Sequence, residues 1–433
     1  MRILLTSNAP YLPPRGGSTR SNLAYLKGLV QRGHQCRVVA AAPEASTPEQ
    51  QDRLRAELQE QQLDSRFVAK ASRQTTWTGT LDGIEIVSVQ DLLRHAHKLT
   101  EQIREFEPDF VLVSSEDLSH TLLRETARSA ARRLVYLAHT PQWFPFGPAS
   151  WNRDEHSTEL IRNAAAVVVI SNVMADYVEQ HLGRRPFLAH PAIYGEGPWP
   201  QLGQYESGYI TILNPCQVKG ISIFLTMADL FRGREFGALP GWGTNGQDLE
   251  KIKRRPNVRV LPRVKNIEAF LSRTKLLLMP SLWMEGFGLI VMEAMLRGVP
   301  VVASDSGGLR EAKNGTGYVI PVRPIQRYEA TFDDRNMPRA VIPAQNAEPW
   351  AKAITELTQS RECYDLEVQR ARTAAQTFVQ RIDPFAINHV LESVQPSLGS
   401  WSAPATTGRG NLSEAKKALL LKRLRERATE RSS

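Results

Sequence analysis

Cysteine is scarce, with three in 433 residues. Cys36, Cys216 and Cys363 are odd in number and far apart, which suits neither a disulfide framework nor a zinc site. All three are expected as buried thiols. Long apolar runs are also missing. Residues 164–170 and 276–280 are among the longest, far short of the roughly 20 needed to cross a bilayer. The first residues offer only a few apolar side chains before Pro10, with neither a signal h-region nor an Arg-rich transit pattern. A cytoplasmic location is therefore expected. No Asp-x-Asp occurs, and no His/Cys/carboxylate cluster has metal-ligand spacing, so no catalytic metal is expected. With 42% hydrophobic and 23% charged residues the composition is globular, which excludes disorder, collagen and coiled coil.

The formal charge of +9 raises the question of nucleic acid, and its distribution answers it. Residues 395–433 hold eight basic and three acidic side chains, an excess of five that leaves the remaining chain at +4. No groove-reading motif accompanies the charge, so no nucleic-acid partner is expected. A local basic cleft for a phosphate-bearing small molecule stays open.

Residues 2–7 read as a buried parallel strand. A Pro/Gly loop through Gly16-Gly17 follows, then a helix with Leu23, Leu26 and Val30 at helical spacing that Ser18 or Ser21 can cap and Gly33 stops. Further strands at 36–41, 110–114, 133–138 and 165–171 alternate with helical stretches, the pattern of a doubly wound sheet. Residues 1–195 therefore read as one Rossmann-like domain. The turn-rich stretch to Gly208 reads as a linker. A second α/β series over 209–380 has candidate strands at 209–213, 258–261, 275–279 and 301–303. Helical patterns at 350–358 and 368–379 follow, and residues 381–394 read as a helix crossing back to the first domain. Residues 395–411 are a Ser/Gly/Pro/Thr linker, and 412–433 a basic amphipathic tail. The fold class is α/β, two Rossmann-like doubly wound parallel sheets facing across a cleft.

Glu285-Gly286-Phe287-Gly288-Leu289-Ile290-Val291-Met292-Glu293 follows a hydrophobic strand and opens a helix. Backbone N–H groups at such a start, with the helix dipole behind them, can hold a diphosphate, and glycine lets it approach. Carboxylates are poor phosphate ligands, so Glu285 and Glu293 are better placed as acceptors for sugar hydroxyls flanking that diphosphate. The constellation reads as a nucleotide-sugar site.

This run resembles the E-x7-E motif of retaining family 4 glycosyltransferases, which have the GT-B fold. The similarity continues through residues 298–304, Gly307-Gly308, Glu311 and residues 315–318. Gly16-Gly17-Ser18, Arg32-Gly33-His34, His139 and Lys219-Gly220 follow the family's order, so the resemblance covers residues 1–394. It implies transfer of a sugar from a nucleotide diphosphate donor with retention, and no cofactor beyond that donor. By similarity Glu293 would bind the ribose hydroxyls and Glu285 the donor sugar. The amides around Gly286, Phe287, Gly288 and Leu289 would meet the diphosphate. Lys219 would neutralise the leaving group, His139 would position or polarise rather than act as base, and Gly17 would let the first domain's loop approach the donor phosphate.

One position departs from the family. The arginine usual five residues before the lysine is Asn214 here, and Arg15, Arg20 or Arg263 could substitute. An epimerase or phosphorylase on this fold would need its own base or cofactor lysine, for which no signal is present. Gly241-Trp242-Gly243-Thr244-Asn245-Gly246 matches G-x-G-x-x-G, but the next strand ends in Leu261-Pro262-Arg263 rather than in a ribose-binding acid. It reads as a strand-to-helix turn, not a dinucleotide site.

For the acceptor, Trp143, Phe144 and Phe146 lie in an aromatic loop directly after His139, suited to a flat apolar aglycone or lipid-like acceptor if it faces the cleft and to ordinary packing if it does not. Residues 321–349 form a polar insertion containing Tyr328, Asp333, Asp334 and Arg335. The tail, Leu412-Ser413 to Leu424, resembles segments between modules of nonribosomal peptide and polyketide synthases. A peptide or polyketide-type metabolite is thus the leading acceptor, with docking to an assembly line. The competitors are a lipid or polysaccharide precursor with the tail on an anionic membrane, and a non-catalytic docking protein on the same fold.

Overall fold

A computed structural model describes residues 1–14, 16–43, 47–60, 64–70, 74–90, 92–264, 266–333 and 338–394. The linker 395–411, the tail 412–433, Arg15, Asp334 and Arg335 lie outside the described residues.

The first sheet contains β1 (Arg2–Pro10), β2 (Gln35–Ala41), β3 (Asp64–Lys70), β4 (Gln74–Leu81), β5 (Ile84–Val89), β6 (Phe110–Ser114), β7 (Leu134–Ala138), β8 (Ala166–Val169) and β9 (Phe187–Leu188). Their order is β3-β4-β5-β2-β1-β6-β7-β8-β9. Pairing is parallel except where β4 meets β3 and β5. Ile3, Leu4 and Leu5 of β1 and Val111 and Leu112 of β6 are all buried, as continuous apolar runs in a two-sided parallel sheet require. The antiparallel edge β3–β5 went unread in the sequence. Its middle strand, Gln-Thr-Thr-Trp-Thr-Gly-Thr-Leu, has no apolar alternation and is a strand through its pairing with both neighbours.

The second sheet, all parallel, contains β10 (Tyr209–Leu213), β11 (Phe236–Leu239), β12 (Val258–Val260), β13 (Thr274–Met279), β14 (Val301–Ser304) and β15 (Val319–Ile320) in the order β12-β11-β10-β13-β14-β15. The strand β11, also unread, is Phe-Gly-Ala-Leu, with glycine and alanine that disfavour strands in isolation. Between β10 and β11 there is no space for a larger residue: a Cβ on Gly237 would stand 3.0 Å from Leu261 and 3.1 Å from Tyr209. The polar insertion forms an antiparallel hairpin, β16 (Tyr328–Phe332) and β17 (Pro338–Ala340).

Each sheet reverses its strand order once, between β1 and β6 and between β10 and β13. Such switch points open a crevice beyond the carboxyl ends of the strands. The loops that leave β1, β7, β10 and β13 carry Gly17, His139, Lys219 and Glu285, so topology alone delivers the four segments to one seam.

The helix Gly17–Gln31 starts two residues earlier than a Ser18 cap requires. Gly16 is its cap, at φ 96° with no side-chain hydrogen bond, and Ser21 Oγ instead donates to the Gly17 carbonyl. Cys36 and Cys216 are buried, their thiols pushed up to about 12 by burial, whereas Cys363 is exposed. That corrects the expectation of three buried thiols: Cys363 lies in the first turn of the helix Arg361–Val379 with its side chain outward. No described helix is long and apolar enough to cross a membrane.

The helix Ala386–Val394 packs against the helix Gly17–Gln31. His34 Nε2 meets Asn388 Oδ1 at 2.7 Å, Arg32 lies 4.0 Å over the Phe385 ring, and a Cβ on Gly28 would overlap the Pro384 carbonyl oxygen. Mid-helix Gly→Ala ordinarily stabilises by about 1 kcal/mol. Here Gly28→Ala is expected to destabilise by about 1–3 kcal/mol through overpacking, read as a lower urea midpoint at unchanged slope. A higher midpoint would refute this packing.

Candidate active site

The loop after β13 crosses beneath the first lobe and turns into the helix Leu289–Leu296, capped by Gly288 at φ 109°. Residues Ile290 to Leu296 of that helix are all buried, so it has no solvent face on which to place Glu293, 3% exposed. A lone charge there would cost several kcal/mol. Its partner comes from the other lobe: Arg20 donates through Nη2 to Glu293 Oε1 at 2.6 Å and through Nη1 to Oε2 at 3.2 Å. Glu285 is treated in parallel. Lys219 Nζ lies 2.5 Å from its Oε1, and Ser281 Oγ donates to the same oxygen. Lys219 Nζ also sits 4.2 Å over the Trp283 ring.

Glycines let backbone meet backbone along this seam. A Cβ on Gly286 would overlap the His139 carbonyl oxygen, and one on Gly308 would stand 2.5 Å from Phe287 Cα. Gly308 N donates to the Glu285 carbonyl at 2.8 Å, Ser306 Oγ to Trp283 O and Ser304 Oγ to Ser281 O, each at 2.6 Å. The loop after β14 thus props the motif from behind. From the first lobe, Ser171 Oγ donates to Gly286 O at 2.6 Å. A Cβ on Gly17 would stand 3.2 Å from Leu289 Cδ1, so the N-terminal ends of two helices approach each other, both with positive dipole ends. Glu311, of the second lobe, accepts from Asn172 N at 2.9 Å and from Asn172 Nδ2 at 2.9 Å. It caps the helix Asn172–Leu182 across the seam, a role its sequence position did not reveal.

His139 is 2% exposed. Asn22 Nδ2 donates to Tyr11 Oη at 2.9 Å and to Ser114 Oγ at 2.8 Å, which turns Asn22 Oδ1 toward His139 Nε2 at 2.8 Å. This network assigns the proton to Nε2, and Nδ1 has no partner among the described residues. Burial holds the imidazole below the usual histidine range, so it is neutral at pH 7. A neutral ring with a free lone pair can accept a hydroxyl proton in a hydrogen bond, in keeping with positioning.

Asn214 Nδ2 is buried and has no partner among the described residues. Its Oδ1 accepts from Gly243 N at 2.9 Å, and Gly241 packs directly on its side chain. It thereby pins the Gly241–Gly246 turn, which leads into the helix Gly246–Lys253 through a capping box between Asn245 and Asp248. Arg263 is exposed beyond β12.

The aromatic loop divides in two, which corrects the expected acceptor wall. Phe144 and Phe146 are buried in the first lobe against Tyr136 and Tyr177, because the short 3-10 turn Pro141–Trp143 directs the chain inward after Trp143. Trp143 instead joins Trp151 at 5.3 Å between centroids. Trp151 meets Trp283 at 5.9 Å and Tyr328 at 5.6 Å, and Trp283 meets the half-exposed Trp242 at 5.6 Å. These rings span both lobes and the hairpin, and reach Lys219 through Trp283.

Burial lowers the pKa of His95, His120, His139 and His190 alike. Above about pH 6.5 both folded and unfolded chains carry these rings neutral. As pH falls below that value the unfolded chain binds protons that the folded one refuses, so stability declines with acidification. Thermal unfolding between about pH 7.5 and about pH 5 should show a falling Tm, and His139→Asn should reduce that slope. An unchanged slope would mean that His139 is charged in the fold.

Comparison with known proteins agrees with this two-lobed fold. Residues 15–190 match the family described as Glycosyltransferase Family 4, and residues 204–360 that described as Glycosyl transferases group 1. No curated protein sequence matches the chain. Among solved structures it resembles sucrose-phosphate synthase from Thermosynechococcus elongatus (15% identity, TM-score 0.63, 92% of this chain and 100% of that one). It also resembles Anabaena HepE solved with UDP-glucose (16% identity, TM-score 0.60, 92% and 100%). A glycosyltransferase from Rickettsia africae is similar too (14% identity, TM-score 0.57, 92% and 99%). With both lobes matching glycosyltransferase domains in chain order on this two-lobed fold, the chain is a glycosyltransferase of the GT-B type.

Proposed function

We propose that the protein is a retaining hexosyltransferase that moves a sugar from a nucleotide diphosphate donor to an acceptor with an apolar face. The observation that carries this is the pairing of both buried carboxylates with cations at a glycine-capped helix start, Glu285 with Lys219 and Glu293 with Arg20. A diphosphate fits the N–H groups at Gly288 and Leu289, and sugar hydroxyls fit the two carboxylates.

The acceptor hydroxyl attacks the anomeric carbon from the face that the diphosphate leaves. The bond between that carbon and the phosphate oxygen breaks, and the acceptor proton passes to the departing oxygen. Lys219 stabilises the charge that develops there, so no protein base is needed. His139, neutral and held by Asn22, orients a donor-sugar hydroxyl rather than moving the proton. For the acceptor, the rings of Trp143, Trp151, Trp283 and Tyr328 favour an aglycone over a free sugar. The leading class is a peptide or polyketide-type metabolite, with a lipid-like precursor as the alternative.

A panel of nucleotide sugars, UDP-glucose first, read by thermal shift and donor hydrolysis, tests the donor. One nucleotide class should stabilise the wild type. Glu293→Ala should abolish the shift, and Lys219→Ala should slow hydrolysis by about 100-fold or more. NMR of a glycosylated product should show the donor's anomeric configuration; an inverted product would overturn the retaining mechanism. No shift from any nucleotide sugar would overturn the donor reading.

A further inference from the structure

We infer that Arg20 is the second cation of the diphosphate site, supplying the charge that position 214 lacks, and that it exchanges Glu293 for the diphosphate when a nucleotide sugar binds. This rests on the donor reading above.

As they stand, the two carboxylates each hold one cation, Lys219 on Glu285 and Arg20 on Glu293. A nucleotide sugar is complementary to all four groups at once. It brings hydroxyls, which carboxylates accept, and two negative phosphates, which cations and helix N-termini accept. An exchange of partners therefore leaves no buried carboxylate unpaired: a cation departs only as hydroxyl donors arrive. Lys219 is one half of this exchange, and Arg20 stands in the same relation to Glu293.

The geometry gives Arg20 the freedom to make the move. Its side chain keeps 39% exposure, whereas the Glu293 side chain has 4%. The acid is fixed in a helix without a free face, and the arginine is held on one side only. Arg20 lies in the first turn of the helix beginning at Gly17, and a Cβ on Gly17 would stand 3.2 Å from Cδ1 of Leu289, the first residue of the helix whose N–H groups would meet the diphosphate. The other positions offer less: Asn214 is uncharged and bonded to Gly243, Arg297 is paired with Glu268, Arg310 with Asp305, and Arg263 points to solvent.

The test titrates full-length protein with UDP, GDP and ADP by calorimetry, and with the matching nucleosides by competition NMR. For whichever diphosphate the wild type binds, Arg20→Ala should weaken binding by about 10- to 100-fold, while the nucleoside, which must displace Arg20 from Glu293 and offers it no phosphate in return, should bind as well or more tightly. Equal weakening of nucleoside and diphosphate, or tighter diphosphate binding, would overturn the inference, because Arg20 would then be only a structural partner or a competitor of the ribose. Should Arg20→Ala fail to fold with Glu293 unpaired, Arg20→Lys keeps the charge and loses the fork. It is then expected to weaken the diphosphate by about threefold or more with the nucleoside unchanged, and no selective loss would overturn the inference. If the wild type binds none of the three diphosphates, the donor reading itself fails, an outcome distinct from a wild type that binds and a variant that binds equally well.

Discussion

A carboxylate on a helix with no solvent face must be paired from outside that helix, and most of the seam between the two lobes is arranged around this requirement. Glu293 lies among Ile290, Val291, Met292, Ala294, Met295 and Leu296, all buried. Among the described residues the cation that pairs with it, Arg20, comes from the first helix of the other lobe. Losing a partner at such a site costs about 3–5 kcal/mol, although the intact pair adds little net stability. The pair therefore makes poor glue and a good register mark: it says which face of the first helix must meet which turn of the second lobe. Glu311 marks a second point by capping the helix Asn172–Leu182 from across the seam.

Absence of side chains makes this register possible. Gly286 lies against the His139 carbonyl, Gly308 against Phe287 and Gly17 against Leu289. At the first two a methyl group would separate backbones that have to touch, and at the third it would press on the Leu289 side chain. The glycines of the motif thus do two jobs. Gly288 turns the chain into the helix at positive φ, and Gly286 brings the loop after β7, with His139, against the motif. Polarity is handled as economically. Asn22 satisfies Tyr11, Ser114 and His139 with one amide, and by doing so sets which nitrogen of the imidazole carries its proton.

The aromatic loop shows how far adjacent residues can diverge. Trp143 and Phe144 are neighbours in sequence, yet one joins a ring cluster shared by both lobes and the other is a core residue of the first lobe. A single 3-10 turn separates them. Aromatic density marked the right segment without ranking its members, because side-chain direction depends on a backbone turn that carries no periodic signal.

What was legible in the chain was whatever local chemistry dictates. Continuous apolar runs such as residues 110–114 and 209–213 can only be buried parallel strands. The glycines at 286 and 288 mark a helix start, and Gly33, at positive φ, marks the stop of the first helix. Pairing across distance was not legible. The strands β4 and β11 have poor propensity and exist because their neighbours do, Glu311 found its helix cap some 139 residues away in sequence, and Arg20 was one of three candidate arginines until the fold brought it to Glu293. The sequence by itself determined the chemical groups of the site and the two-sheet architecture that presents them. Only the tertiary structure decided which cation meets which carboxylate, since that choice is made by the packing of one lobe on the other, and packing of that kind leaves no periodic trace in either.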